Sequence, residues 1–260
     1  MSINNFYKNG PVGCLLVHGF TGSPNELLDL GEFLASKKLT VSIPALPGHG
    51  THSGDLFNYT WRDWFDAVKT AYHELHLECD EVFLCGLSMG GALALHLAAH
   101  EPSVKGIVTL SGAIHFPAWK KIVVKGLKGV VKFRHKKHGE DVRDTSTRPR
   151  LGSYRRYPYY AVDQLFELID HVRDDLPEVT QPILIIHSRK DHTIPFSNSE
   201  IIFRLVGSTD KRKVDLSDSY HIISVDVEKE KVREEVFEFI QQHSQHFKPR
   251  SVKKLEEKVS

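Results

Sequence analysis

At 260 residues, 40% of them apolar and 26% charged, the chain fits one globular α/β domain, or one domain carrying an insertion, with enough length for a large core. Its formal net charge of +1 offers no global attraction to nucleic acid, and no stretch holds the roughly 18 apolar residues that a membrane span needs. Cys14, Cys79 and Cys85 are odd in number, form no C-x-x-C, and follow an N-terminus without a basic region and apolar core, so buried free thiols in a cytoplasmic protein are expected.

The first apolar run, 14–17 (CLLV), breaks at His18-Gly19-Phe20-Thr21-Gly22 and reads as a strand entering a loop. Ser23 or Asn25 then caps a helix expected to reach about Lys38, with Leu27, Leu30, Phe33 and Leu34 along one face. A second strand, 40–43, runs into PALPGHG, after which Trp61, Trp64, Phe65, Val68, Tyr72 and Leu75 recur at helical spacing. At 81–91 (EVFLCGLSMGG) a strand through Val82, Phe83, Leu84 and Cys85 meets a helix from Met89 onward with no loop between them. Ser88 therefore sits on the turn itself. The strained backbone there needs small neighbours, which Gly86, Gly90 and Gly91 provide, and the hydroxyl is held above the sheet edge at the positive end of the next helix. Gly86-Leu87-Ser88-Met89-Gly90 is a G-x-S-x-G nucleophile elbow, a weak pattern alone and a strong one between a strand and a helix.

Further strands are expected at 104–110, 182–187 and 212–216, with helices around 201–205 and over 228–241; the last turns Val232, Val236, Phe239 and Ile240 inward. Repeated β-α alternation with near-continuous apolar strands predicts a mostly parallel central sheet covered by helices on both faces. Chemistry gathers at the carboxyl ends of such strands, which is where the HGFTG loop, His49, Ser88, Asp191 and His221 fall.

A serine hydroxyl needs a neutral imidazole to take its proton and a buried carboxylate to fix that imidazole's tautomer. Asp191 follows the fifth strand, and His221 lies in the loop after the sixth, giving the chain order Ser88, Asp191, His221. His187 lies within a strand, and His192 adjoins the acid, so neither is well placed to bridge acid and serine. Asp218, three residues from His221, reads as a turn residue, and Asp215 belongs to a strand. A developing oxyanion needs two backbone donors, each worth about 3 kcal/mol. Met89 N–H and Phe20 N–H, from the loop after the first strand, are the expected pair, with His18 shaping that loop.

HGFTGSP, PALPGHGT, WRDW, GLSMGGALALHLAAH, SRKDHTIP and SYHIISVD together resemble the bacterial carboxylesterase and monoacylglycerol lipase family of α/β-hydrolases, over roughly 12–112 and 180–241. The resemblance implies the α/β-hydrolase fold and hydrolysis of carboxylic esters with short to medium acyl chains, monoacylglycerols among them. The route is an acyl-enzyme without cofactor or metal. Ser188, where many relatives have glycine, and Tyr220, where glycine is frequent before the histidine, depart from the family pattern. A thioesterase, an amidase or an acyltransferase would use the same elbow, and the fold also hosts non-catalytic ligand receptors, against which the complete serine, acid and base speak.

The β-α rhythm stops between 113 and 181, too long a gap for an ordinary connection. The expected organisation is a hydrolase core, 1–112 and 182–247, a cap or lid insertion, 113–181, and a charged, frayed tail, 248–260. The cap is expected to choose the substrate. Its first part, AWKKIVVKGLKGVVKFRHKK, places Trp119, Ile122, Val123, Leu127, Val130 and Val131 on one helical face and Lys120, Lys121, Lys125, Lys128 and Lys132 around the rest. Such a helix either covers the pocket with its lysines solvated or lies transiently on an anionic lipid surface. Its aromatics are not interleaved as nucleic-acid stacking platforms. A helix from about Ala161 carries Leu165, Phe166, Leu168 and Ile169 as pocket or core wall. His96 and His100 share a helix face, but with no third ligand near them in the sequence they do not read as a metal site.

Overall fold

The computed structural model describes residues 5–136 and 139–247. Among them nine strands form in chain order: β1 (Asn5–Tyr7), β2 (Val12–Val17), β3 (Thr40–Ile43), β4 (Glu81–Leu87), β5 (Gly106–Leu110), β6 (Phe133–His135), β7 (Arg156–Pro158), β8 (Ile183–Ser188) and β9 (Lys211–Leu216). The helices are α1 (Leu28–Ser36), α2 (Trp61–Glu78), α3 (Met89–His100), α4 (Ala118–Leu127), α5 (Arg148–Leu151), α6 (Tyr159–Asp175), α7 (Ser197–Leu205) and α8 (Lys229–His243).

Seven strands make one sheet in the order β1-β3-β2-β4-β5-β8-β9, parallel throughout except for the β1–β3 pair. β2, β5 and β8 are buried along their whole length, as strands covered on both faces must be, and this is why their sequences run apolar without alternation. Alternate residues feed two cores. Leu15, Leu84, Ile107 and Ile185 pack with α2, α3 and α6 on one face; Leu16, Phe83, Val108 and Leu184 pack with α1 and α8 on the other. The chain steps from β2 outward to β3, then returns past β2 to lay down β4. Strand order thus reverses between β2 and β4, and the loops leaving their carboxyl ends, His18–Gly22 and Ser88, flank one crevice.

The predicted elements recur with three corrections. The helix expected from Ser23 or Asn25 to Lys38 is two pieces, a 3-10 turn over Pro24–Glu26 capped by the Ser23 hydroxyl and then α1, since Leu27 takes a non-helical conformation between them. The antiparallel edge strand β1 was not foreseen; three residues give too short a pattern to register. The basic run is not one helix over its described residues, 118–136. α4 stops at Leu127, and from Phe133 the chain pairs instead with β7 as a two-stranded ribbon. The expected apolar stripe is also displaced. Val124 is buried, whereas Trp119, Ile122 and Val130 stand 62%, 72% and 84% exposed.

Two lysines of that run are neutralised from α6: Lys121 pairs with Asp170, and Lys128 lies 2.5 Å from the buried carboxylate of Asp163. Leu168 and Ile169 of α6 belong to the core beneath, while Val162 and Phe166 meet Val124 in a small separate cluster. The charged tail, 248–260, lies outside the described residues.

Candidate active site

The elbow is built by close contact. A Cβ on Gly90 would stand 2.0 Å from the Val17 carbonyl oxygen, and one on Gly86 would stand 2.1 Å from the Gly90 oxygen, so only glycine lets α3 start this near β2 and β4. Ser88 is consequently held at φ 54°, ψ −113°, a conformation that costs about 1–3 kcal/mol and is sustained by its surroundings. Its N–H donates to Leu110 O at 2.8 Å, and its carbonyl accepts from Gly91 and Ala113. What remains outside these bonds is the hydroxyl, which has no hydrogen-bond partner among the described residues and faces a cavity of about 810 Å³.

The loop after β2 flanks it. A Cβ on Gly19 would lie 3.4 Å from that of Ser88, and Gly19, Phe20 and Thr21 line the same cavity as the serine. Met89, as first residue of α3, keeps its N–H outside the helical ladder. His18 fixes the loop from within: fully buried, it joins Gly19 O through Nδ1 at 2.9 Å, and its Nε2 accepts from Leu46 N at 3.1 Å. Burial pushes its pKa down to about 4, so it stays neutral in this bridging role. Glu26, also buried, accepts the Gly19 N–H at 3.0 Å; burial raises its carboxyl against the pull of that bond and of Lys136 and His221.

Asp191 and His221 meet as expected, His221 Nδ1 lying 2.8 Å from Asp191 Oδ2. The other carboxylate oxygen accepts the N–H groups of Thr193 and Ile194 at 2.9 and 2.8 Å. Burial alone would raise the Asp191 carboxyl, but the charge of His221 and hydrogen bonds from His187 and His221 hold it well below the usual carboxylate range. Burial likewise acts to depress His221, and is outweighed by Asp191, Asp141 and Glu26, which leave its pKa raised. Nδ1 donates to the carboxylate, so a neutral His221 carries its lone pair on Nε2. No hydrogen bond joins Ser88 Oγ to His221; both line the same cavity, the looser arrangement common in unliganded sites.

Several supporting residues escaped the sequence reading. His187 is a strand residue, yet its Nε2 stands 3.1 Å from Asp191 Oδ2 and 3.1 Å from Ile194 O; with two acceptors before it, that nitrogen carries the proton. Asp226 accepts from Tyr220 N at 2.7 Å and from Arg143 and Asp144 N–H, tying the His221 turn to the 141–144 segment, and the Asp141 carbonyl accepts the His221 N–H at 3.0 Å. The one hint in the sequence was the acidic residue closing SYHIISVD. Ser188 Oγ donates to Ser219 O and accepts from Lys190 N at 3.1 Å, so this departure from the family pattern ties the acid loop to the histidine loop. Tyr220 lines the cavity and meets His192 edge-on at 4.4 Å. Asp218 is exposed, pairs with Arg143 and Lys190, and touches no part of the site.

The cavity has two characters. Phe116 with Val123 and Val124 of α4 and Val162, Leu165 and Phe166 of α6 make up an apolar wall, and Glu26, Lys136, Glu140, Asp141, Arg148 and His192 a polar one. The cavity therefore offers surroundings both for an apolar chain and for a polar group.

A family model described as serine aminopeptidase, S33, matches residues 12–228. The chain is 37% identical to a thermostable monoacylglycerol lipase of Bacillus sp. (strain H-257) over 242 residues, 92% of this chain and 94% of that protein. It is 28% identical to a carboxylesterase of Bacillus subtilis (strain 168) over 90% of this chain and 94% of that one. Among solved structures, one from work on LipS and LipT, two metagenome-derived lipolytic enzymes, superimposes with a TM-score of 0.88 at 32% identity, covering 92% of this chain and 97% of the other.

Proposed function

The chain belongs to the serine aminopeptidase S33 family of α/β-hydrolases and is a carboxylic ester hydrolase of the monoacylglycerol lipase and carboxylesterase type, and from that premise we propose that Ser88, His221 and Asp191 carry out the hydrolysis. Ser88 Oγ attacks the ester carbonyl carbon while His221 Nε2 takes its proton, and Asp191 holds the imidazole and stabilises its charged form. The oxyanion is received by Phe20 N–H and Met89 N–H. Collapse breaks the bond to the alcohol, which leaves with the proton from His221. Water, deprotonated by the same nitrogen, then releases the acid and restores Ser88.

One observation carries this reading: a buried, hydrogen-bonded Asp191–His221 pair opens onto the same cavity as an elbow serine held at φ 54°. We assign the acyl chain to the apolar wall, and segment 113–181, which supplies most of that wall, to the role of a cap over the core formed by 1–112 and 182–247. Monoacylglycerols suit this division, since a single apolar chain joins a small polar alcohol. The exposed Trp119, Ile122 and Val130 among Lys120, Lys125 and Lys132 fit transient contact of the cap with a lipid surface, and three buried free cysteines fit a cytoplasmic setting. No helix among the described residues is long and apolar enough to cross a membrane.

The test is turnover of alkyl esters and monoacylglycerols across chain lengths by the native chain and by Ser88→Ala. The variant should lose ~10^4-fold or more in kcat. An unimpaired Ser88→Ala enzyme would end the proposal. Vesicle sedimentation tests the lipid contact: more pelleting with anionic than with neutral vesicles at low salt is expected, and equal pelleting removes the electrostatic contribution.

A further inference from the structure

His96 and His100 lie four residues apart on α3, hence one above the other on a single helix face. The third group that the sequence lacked comes from a distant element. α6 ends beside this face, and Asp175, its last residue, brings Oδ2 to 2.5 Å from His96 Nδ1. One ligand atom from each of the three residues lies within 4.8 Å of the others.

We propose that His96, His100 and Asp175 bind a divalent transition-metal ion, Zn2+ in the first instance, at a site separate from the active site. None of the three lines the catalytic cavity, and at 1.5 Å per residue His96 lies about 12 Å along α3 from Ser88. Two imidazoles and one carboxylate are a borderline-soft donor set that suits Zn2+ and its transition-metal neighbours and not Mg2+ or Ca2+. At His100 the protonation is already suitable. His100 Nδ1 lies 2.8 Å from the His96 carbonyl oxygen, which can only accept, so Nδ1 holds the proton and Nε2 presents its lone pair. A backbone carbonyl on the non-ligating nitrogen is the usual outer support of a metal-bound histidine.

His96 is buried against Trp61 and Phe65, Asp175 is half-buried and His100 is exposed, which leaves an entry from solvent and room for a water as fourth ligand. Tetrahedral Zn2+ holds its ligand atoms roughly 3.3 Å apart. Binding would therefore open the His96–Asp175 contact by under an ångström, and the proton between them would leave to solvent. The competing account is a His96–Asp175 hydrogen bond and nothing more. The two differ on His100, which the hydrogen bond does not need and the metal site does. Since α3 begins at the elbow and α6 returns segment 113–181 to the core, the ion would clasp those two helices together.

Metal-stripped protein titrated with Zn2+ in equilibrium dialysis should take up one ion per chain at this site. Its melting temperature should rise by about 5–10 °C at a hundredfold excess over Kd, with no rise for Mg2+. His100→Ala and Asp175→Asn should each lose the uptake and the shift while keeping ester turnover, and the exposure of His100 makes its variant the one least at risk of misfolding. Absence of uptake by the native protein at millimolar Zn2+, or retention of uptake and shift by either variant, would overturn the site.

Discussion

The elbow and α4 both border one cavity and are built on opposite terms. At the elbow a single added carbon has nowhere to go: a Cβ on Gly90 would meet the Val17 backbone at 2.0 Å. On α4, a Cβ on Gly126 would find no atom within 4 Å, and of this helix only Val124 is buried. The proposed reacting groups are thus set by backbone packing that admits one arrangement, and the surface proposed to meet the acyl chain is set by side chains that admit many. A family can keep its chemistry while its substrates diverge because the two duties rest on parts of such different stiffness.

Asp191→Asn probes the rigid side most severely. With its acceptor oxygens reduced to one and an amide in place of the charge, His221 loses its fixed tautomer, and kcat should fall ~10^3- to 10^4-fold with little change in KM. Steady-state kinetics on a soluble short-chain ester measures this, and a loss under tenfold would remove Asp191 from the mechanism. The glycines come next. Gly90→Ala should destabilise by about 3 kcal/mol or more, because the obstruction is backbone. Gly126→Ala should instead stabilise by about 0.5 kcal/mol through helix propensity. Denaturant melts of the two variants compare the two regions directly, and equal effects would break the contrast.

A smaller effect follows from pH. His221 must be neutral to accept the Ser88 proton, and its pKa is raised above the ordinary value of 6.5. On the acid side kcat/KM should therefore rise about tenfold per pH unit and level off only above pH 6.5. Stability should move the other way. The raised pKa contributes stability that is fully present below 6.5 and is lost as pH climbs through the folded value. An acid limb centred below 6.5 would contradict the assignment of His221 as base in its present surroundings.

The rigid side is also the legible one. Glycine spacing, an apolar strand and a helix beginning without a loop are local signals, so Ser88, Phe20, Met89, Asp191 and His221 could be proposed from 81–91 and the strand ends, and of these the structure joins Asp191 to His221 and opens His221 and Ser88 onto one cavity. His187 could not, because its contact with Asp191 depends on how the turn after β8 folds back. Nor could the neutralisation of Lys121 and Lys128, whose acidic partners sit some forty residues away on α6. The expected long helix over the basic run failed for the same reason: pairing of β6 with β7, a non-local choice, overrode the periodicity of the run. Asp175 beside His96 is another pairing of this kind, invisible until α6 is folded onto α3.

The mildest test falls on the soft side. Trp119 is 62% exposed and yet lines the cavity, as Val123 does, so under the proposed acyl placement its ring would meet the far end of a long chain. Removing it should cost the fold no more than about 0.5 kcal/mol, as for most surface substitutions. Each methylene that loses apolar contact gives up about 0.8 kcal/mol at most. Partial loss over two or three methylenes predicts a three- to tenfold rise in KM for long-chain esters in Trp119→Ala, with acetate and butyrate esters unaffected. Loss across all chain lengths would mean that α4 helps to organise the reacting groups, and the division between a rigid chemical side and a soft selective side would not hold. Loss confined to long chains would place the far end of the acyl chain against Trp119 on α4, the pocket-covering reading of the two that the sequence pattern left open.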